Sequence, residues 1–511
     1  MKIDTLITKT KSRLTPATEI LKVLLNESLA GYLAGRPKPR DAAVFIKYWA
    51  LTWIAILKFI VGQALFKLGP LGLIRALIKN PWIFTLLRVN GLMRRLVRGR
   101  TGVFHDSICL TVHTVAVGVI DQLRNMLFDP ERMVINEDLV PSDIVRAMGL
   151  NCYLLEAMGI VLPILTPEGT LKYIDEAENA GMNPDSCSLP KATVGMVIKG
   201  HMPKGVAMVS SNLPCDAGAA SYAFIQRTYG IPTYRLDAPY HFHNERAEKL
   251  FAKDLMGMIT WLEQHTPGHM DWDRFREICA NRNAMLEMET ELWDMIRTRP
   301  APLTAETVWL SHLWHFNVTP GHPDSVRHYE RLLALARRNI KNGTPATPNE
   351  RYRAVLWNPP FLHFVDIFNW AERTYGVTLI NDSMTYNHHG PIDTTSPETM
   401  LRDYGRTVMQ GPMVRHTRGP AENYLDDIFR MVKQFDLDMV WVANHVGCKG
   451  GQAMNGILRE KCRDKGIPLL ILDYDLSDPR IVSHDNMVRQ LEHFMDNVMK
   501  APRLDQLGAT R

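Results

Sequence analysis

The sequence lacks most of the signatures that would reveal its chemistry on inspection. It has no Gly-x-x-x-x-Gly-Lys-Ser/Thr loop and no Gly-x-Gly-x-x-Gly, so neither nucleotide fingerprint is present and any ATP is expected on another chain. It has no Cys-x-x-Cys pair, which argues against structural zinc. Seven cysteines in 511 residues do not make a disulfide framework. No uncharged apolar run reaches bilayer length. Val44–Phe66 is rich in Trp, Ile and Leu, but Lys47 and Lys58 leave only Tyr48–Leu57 uncharged. There is no fixed-period repeat. Acidic residues are scarce at the start: residues 1–100 carry 18 Lys and Arg against 4 Asp and Glu. With a net charge of +5 overall, the remaining residues sum to −9. A basic arm thus precedes an acidic body. No recognition motif accompanies the basic charge, so nucleic acid is not an expected partner.

What is present is ordinary for a folded protein of two or three domains: 46% apolar and 22% charged residues. An odd cysteine count, 26 Met and no signal-peptide pattern lead us to expect a reducing cytoplasm. Residues 1–130 read as a basic, apolar helical extension that packs on the body or on a partner. Peripheral membrane contact through residues 1–100 stays open, because lysines flanking an apolar helix can snorkel.

Beyond residue 130, short apolar runs alternate with amphipathic segments. In 131–345, Ile160–Leu165, Val206–Ser210 and Pro232–Leu236 read as strands, and Leu171–Ala180 and Ala219–Tyr229 as helices. A helical segment covers 245–340. In 346–511, strands at Arg353–Trp357, Val377–Ile380, Met439–Ala443 and Pro468–Leu472 alternate with helices. The fold class is therefore α/β: two Rossmann-like parallel-sheet domains with helical connections, plus the N-terminal extension. Ligands of such sheets bind beyond the carboxyl ends of the strands.

Three cysteines fall in such places. Cys187 in Asp-Ser-Cys-Ser-Leu-Pro-Lys, Cys215 in Asn-Leu-Pro-Cys-Asp-Ala-Gly and Cys448 in Asn-His-Val-Gly-Cys-Lys-Gly each sit where an apolar run yields to small and polar residues. Cys187 opens an amphipathic stretch, so a helix N-terminus is expected beside it, which would stabilise an anionic group. A Cys/His hydrolase needs one nucleophile rather than three dispersed thiols. Three thiolates from three loops can hold an iron–sulfur cluster with one iron open. Cys109, Cys152, Cys279 and Cys462 read as buried packing residues.

Four blocks in this order resemble the 2-hydroxyacyl-CoA dehydratase and class I benzoyl-CoA reductase superfamily. They are Val140-Pro-Ser-Asp143-Ile-Val-Arg-Ala-Met-Gly149, Cys187-Ser-Leu-Pro-Lys191, Leu213-Pro-Cys215-Asp216-Ala-Gly218, and His445-Val-Gly-Cys448-Lys449 with Pro468-Leu-Leu-Ile-Leu-Asp473-Tyr-Asp475. The resemblance covers roughly 135–500 and says nothing of the basic arm. Asp143 departs from it, standing where the family carries Glu.

The resemblance implies a [4Fe–4S] cluster on Cys187, Cys215 and Cys448, and a radical lyase or oxidoreductase subunit. It implies one low-potential electron from a separate ATP-dependent iron–sulfur activator, an acyl-CoA or aryl-CoA substrate, and a related second subunit or self-dimer. His445, Asp143 and Ser188 are the acid–base candidates, with His201 and Asp216 behind them. Lys191 and Lys449 could balance cluster charge or meet CoA phosphates. The pairs His241/His243 and His388/His389 read as incidental. The alternatives are a double-cubane reductase of small molecules, which would recruit the other four cysteines, and a non-catalytic membrane-associated paralogue.

Overall fold

The computed structural model describes residues 29–504, apart from 138, 141, 241–243, 320, 386–388, 412 and 418. Two four-stranded parallel sheets form its centre. The first contains β1 (Met133–Asn136), β2 (Asn151–Leu154), β3 (Ala207–Ser211) and β4 (Thr233–Leu236) in the order β2-β1-β3-β4. The second contains β5 (Tyr352–Trp357), β6 (Val377–Asp382), β7 (Met439–His445) and β8 (Leu469–Tyr474) in the order β6-β5-β7-β8. The two orders are the same arrangement used twice. In each, the chain turns outward one way after the first strand and the other way after the third, which opens a crevice at the carboxyl ends of the central pair.

Both faces of the central strands are covered, so these strands are mostly apolar and their side chains alternate between two cores. Met133 and Ile135 face the large core shared with the arm, whereas Val134 faces the helices Glu245–His265 and Trp272–Ile296. Ala354 and Leu356 likewise face the shared core, and Val355 and Trp357 face Trp272–Ile296 and Pro323–Asn342. The helical segment expected at 245–340 therefore serves both sheets. Its ends follow local chemistry: Pro323 stands at the first turn behind the His322 cap, and Gly343 closes the helix at φ 58°.

Most expected elements appear within a few residues of their sequence bounds. Ile160–Leu165 does not. It belongs to the helix Ala157–Leu165, and the sheet is completed instead by β1 and β2, for which the sequence pattern suggests no element. A six-residue apolar run buried all round has no period to show, and only its neighbours decide between strand and helix.

From residue 29 onward the arm is helical and packs on the body; its residues 1–28 lie outside the described residues. Pro39–Phe59 lies along Gly102–Phe128, which also meets the helices Ala305–His312 and Pro323–Asn342. Arg100 ties the arm to two helices that pack on β6 of the second sheet, Ala305–His312 and Asp366–Tyr375. Its buried guanidinium donates to Glu306 at 2.6 Å and to Glu372 at 2.8 Å. Burial and the neighbouring Glu306 carboxylate push Glu372 up to about 7 against the ordinary 4.5, with Arg100 acting in the opposite sense. The folded chain thus binds more protons than the unfolded chain between these values, and stability falls as pH rises from about 4.5 to about 7. Glu372→Gln should flatten that slope in denaturant titrations. Arg100→Met leaves two buried carboxylates uncompensated and should cost about 3–5 kcal/mol; a loss below about 1 kcal/mol would show that Arg100 is not what joins these parts.

Candidate functional site

Three loops from both sheets bring Cys187, Cys215 and Cys448 to one region, and each cysteine is the N-cap of a helix. Cys187 precedes Ser188–Ile198, Cys215 follows β3 and precedes Asp216–Tyr229, and Cys448 follows β7 and precedes Lys449–Ala453. Each cap position faces first-turn N–H groups that have no partner within the helix, at the positive end of its dipole.

The thiols are electrostatic neighbours. Burial pushes Cys187 well up, with Glu156 and Cys215 adding to it. Cys215 is the most accessible of the three, yet burial still pushes it up to about 11, with Glu156 and Cys448 adding. The first-turn N–H groups work against both shifts: Leu189 at Cys187, and Gly218 and Ala217 at Cys215.

Close approach of the two halves depends on Gly447. A Cβ there would stand 2.6 Å from Cys187 Cα and 3.0 Å from its backbone nitrogen. Two residues earlier, His445 Nδ1 accepts from the Leu476 N–H at 3.1 Å. This leaves the ring proton on Nε2, which donates to Cys187 Sγ at 3.0 Å. Burial lowers the His445 pKa, so the ring is a neutral donor to sulfur with both nitrogens engaged. Lys449 Nζ donates to Asp185 Oδ1 at 2.6 Å, joining the same two loops on the surface.

Ser188 is fully buried, and its Oγ accepts from the Ser477 N–H at 3.1 Å. Ser477 Oγ donates to the Gly159 carbonyl at 2.8 Å, so one serine pair ties the Cys187 helix to the loop after β8 and to Ala157–Leu165. Lys191 donates to Glu178 and the Pro184 carbonyl, both at 2.7 Å, and clamps the loop before Cys187. Asp216 is an exposed first-turn acid.

Asp143 belongs elsewhere. It is buried against Arg282, at 3.1 Å, and accepts from the Tyr404 hydroxyl; burial raises its pKa. Its electrostatic partners, Arg282, Tyr404 and Arg146, include none of the three thiols. His201 lies beyond the far end of the Cys187 helix, about 16 Å along it, and its ring meets the Tyr173 hydroxyl. His389 is half-buried, while His241, His243 and His388 lie outside the described residues.

Glu156 escapes a reading of the sequence alone. It caps Ala157–Leu165 just past the carboxyl end of β2, is 7% exposed, and raises both Cys187 and Cys215. Its signal is positional: an acid directly after Cys-Tyr-Leu-Leu, visible once that run is taken as a strand.

The donor set fits a cubane better than a single ion. Among the described residues no three His, Cys, Asp or Glu side chains gather as tightly as one metal ion requires. In a cubane each thiolate holds a different iron, so the ligands stand further apart. Cys109, Cys152, Cys279 and Cys462 are buried in three separate apolar cores and do not join the site.

The chain is similar over most of its length to known proteins. The family described as "2-hydroxyglutaryl-CoA dehydratase, D-component" matches residues 139–498. A benzoyl-CoA reductase subunit of Thauera aromatica is 24% identical over 355 residues, covering 64% of this chain and 79% of that protein. The alpha subunit of (R)-2-hydroxyglutaryl-CoA dehydratase from Acidaminococcus fermentans is 23% identical over 290 residues, covering 55% of this chain and 57% of that protein.

Gly447→Val should separate Cys187 from Cys448 and abolish iron loading under anaerobic purification, at an overpacking cost of about 1–3 kcal/mol. Gly450→Ala, where a Cβ meets nothing within 4 Å, should change neither. Full iron content in Gly447→Val would remove close approach as the device.

Proposed function

This chain belongs to the 2-hydroxyglutaryl-CoA dehydratase D-component family, and on that basis we propose that it is a catalytic iron–sulfur subunit acting on a CoA thioester. The observation that carries the reading is the convergence of three N-cap cysteines from two docked α/β units. Cys187, Cys215 and Cys448 would hold a [4Fe–4S] cluster. Bound there, it supplies low-potential one-electron chemistry beside an iron that no protein thiolate occupies.

The chain's own residues prepare that site. Three helix N-termini offset the negative charge of the thiolates. His445 donates its Nε2 proton to Cys187 Sγ and lowers the electron density there, as hydrogen bonds to a ligand sulfur do. Ser188 and Ser477 fix the cap geometry. The buried Glu156 carboxylate, whose charge acts on both Cys187 and Cys215, is the group that would hold or move a proton on a bound substrate. His445, with both nitrogens engaged, acts by donation to sulfur rather than as a base.

The proposal extends to partners. Both relatives are named as subunits, which supports a related second subunit or a second copy of this chain. The electron comes from a separate ATP-dependent iron–sulfur activator, and the substrate is an acyl-CoA or aryl-CoA. Low-potential chemistry of this kind favours a reducing cytoplasm. Burial of the other four cysteines favours this reading over a double-cubane reductase.

Anaerobic iron and sulfide analysis should give about four irons per chain, and about eight would favour two cubanes. Serine at Cys187, Cys215 or Cys448 should remove the brown chromophore; a triple variant with full iron would sink the reading. Assay with benzoyl-CoA and with a 2-hydroxyacyl-CoA, each with the activator, separates ring reduction from dehydration. Glu156→Gln should keep its iron and lose turnover by about 10²-fold or more.

A further inference from the structure

The cysteine site makes no use of the arm, yet the arm carries the most unusual surface of the molecule. Pro39–Lys79 runs through Pro39–Phe59, the π-helical turn Ile60–Ala64 and Leu65–Lys79, with a kink at Gly69. By length and composition it could cross a membrane. One face is already occupied: Phe45, Trp53, Ile56 and Phe59 are buried, and Thr52 shares a hydrogen bond with His113. A helix pinned along one side to a soluble body lies on a bilayer rather than through it.

The opposite face is apolar and exposed. Leu51, Ile54, Lys58, Val61 and Leu65 recur three and four residues apart, which places them in one row. Phe66, just before the kink, and Leu71 and Ile78 beyond it are 86, 71 and 72% exposed. Lys47 and Lys58 fall in this row, and Arg75 and Lys79 are exposed beyond the kink, whereas Lys67 turns back over the Phe128 ring of the body; the segment's only acid, Asp41, is buried. A symmetric second copy would set this row of cations against itself, which is unfavourable. An anionic lipid surface neutralises it and accepts the apolar side chains.

Directly behind the helix, about 10 Å from its exposed row, is an apolar cleft of about 130 Å³. Ile56 and Phe59 of this helix, Leu123 of Gly102–Phe128 and Ile164 of Ala157–Leu165 line it. Among the described residues no charged group lines it, and the Trp314 indole nitrogen is the one polar side-chain atom there. Such a space offers water almost no partners and suits a hydrocarbon chain.

We infer that the outer face of Pro39–Lys79 docks on an anionic phospholipid surface, and that the cleft behind it takes the hydrocarbon chain of a lipid from that surface. Neither part depends on the cluster, so both are tested on the full chain whatever its iron content.

Flotation with vesicles of phosphatidylglycerol and phosphatidylcholine should recover the wild type, and pure phosphatidylcholine or high salt should recover at least about tenfold less. Phe66→Glu/Leu71→Glu/Ile78→Glu changes only exposed side chains and should reduce flotation by about tenfold or more while still binding cis-parinaric acid. The wild type should enhance parinarate fluorescence. Ala116→Phe, which fills the cleft, should weaken that signal at least about fivefold and leave flotation intact. Equal flotation of the triple variant overturns the docking face. A concentration-dependent dimer that the triple variant abolishes, without vesicle binding, overturns it in favour of a second copy. Absence of parinarate binding by the wild type overturns the chain site.

Discussion

The site rests on one close approach, between the backbone at Cys187 and the loop that leaves β7. Gly447 makes it possible, because any Cβ there would occupy the space of the Cys187 backbone. The first α/β unit contributes Cys187, Cys215 and Glu156, and the second contributes Cys448 and His445. Neither half is a site alone. The contact is then fixed by hydrogen bonds that cross it: His445 to the Cys187 sulfur, Ser188 to the Ser477 N–H, and Lys449 to Asp185. A glycine chosen for space rather than for a left-handed turn thus decides whether three thiols meet.

Repetition of one strand order explains why the cysteines lie where they do. In both sheets the third strand of the chain lies next to the first, and the loop after it emerges at the crevice. Cys215 follows β3 and Cys448 follows β7, so the same topological position supplies one thiol from each unit. Helices start at both places, and their N-termini favour anionic sulfur. The arm is held by different physics. Arg100 reaches carboxylates on two helices that pack on the second sheet, and the apolar core of the arm is continuous with one face of both sheets. It is part of the folded body, although it carries the basic charge and the exposed apolar row that set it apart.

Much of this is legible in the residues alone. β3 to β8 announce themselves as short apolar runs bounded by Gly, Pro, Asn or Asp, and their alternation with helices gives the parallel sheets. Cys187, Cys215 and Cys448 stand out because their flanks are unlike those of core residues. The stretch Ile160–Leu165 misleads because an all-round apolar segment has no period, and taking it as a strand conceals β2 and with it Glu156. Asp143 reads as an acid–base candidate, but the structure pairs it with Arg282 away from the thiols, a distinction that no spacing along the chain expresses.

Local chemistry along the chain marks out which residues can bind and which can pack: apolar period, turn residues, the charge balance of the arm, and the polar flanks of three cysteines. Which of them meet is a property of the docked sheets. His445 could have been a base, a ligand or a donor, and the Leu476 N–H on its Nδ1 makes it a donor to sulfur. Lys191 could have met a phosphate, and Glu178 with the Pro184 carbonyl holds it as a clamp. These outcomes depend on partners elsewhere in the chain, and the geometry between such partners exists only once the two sheets have come together.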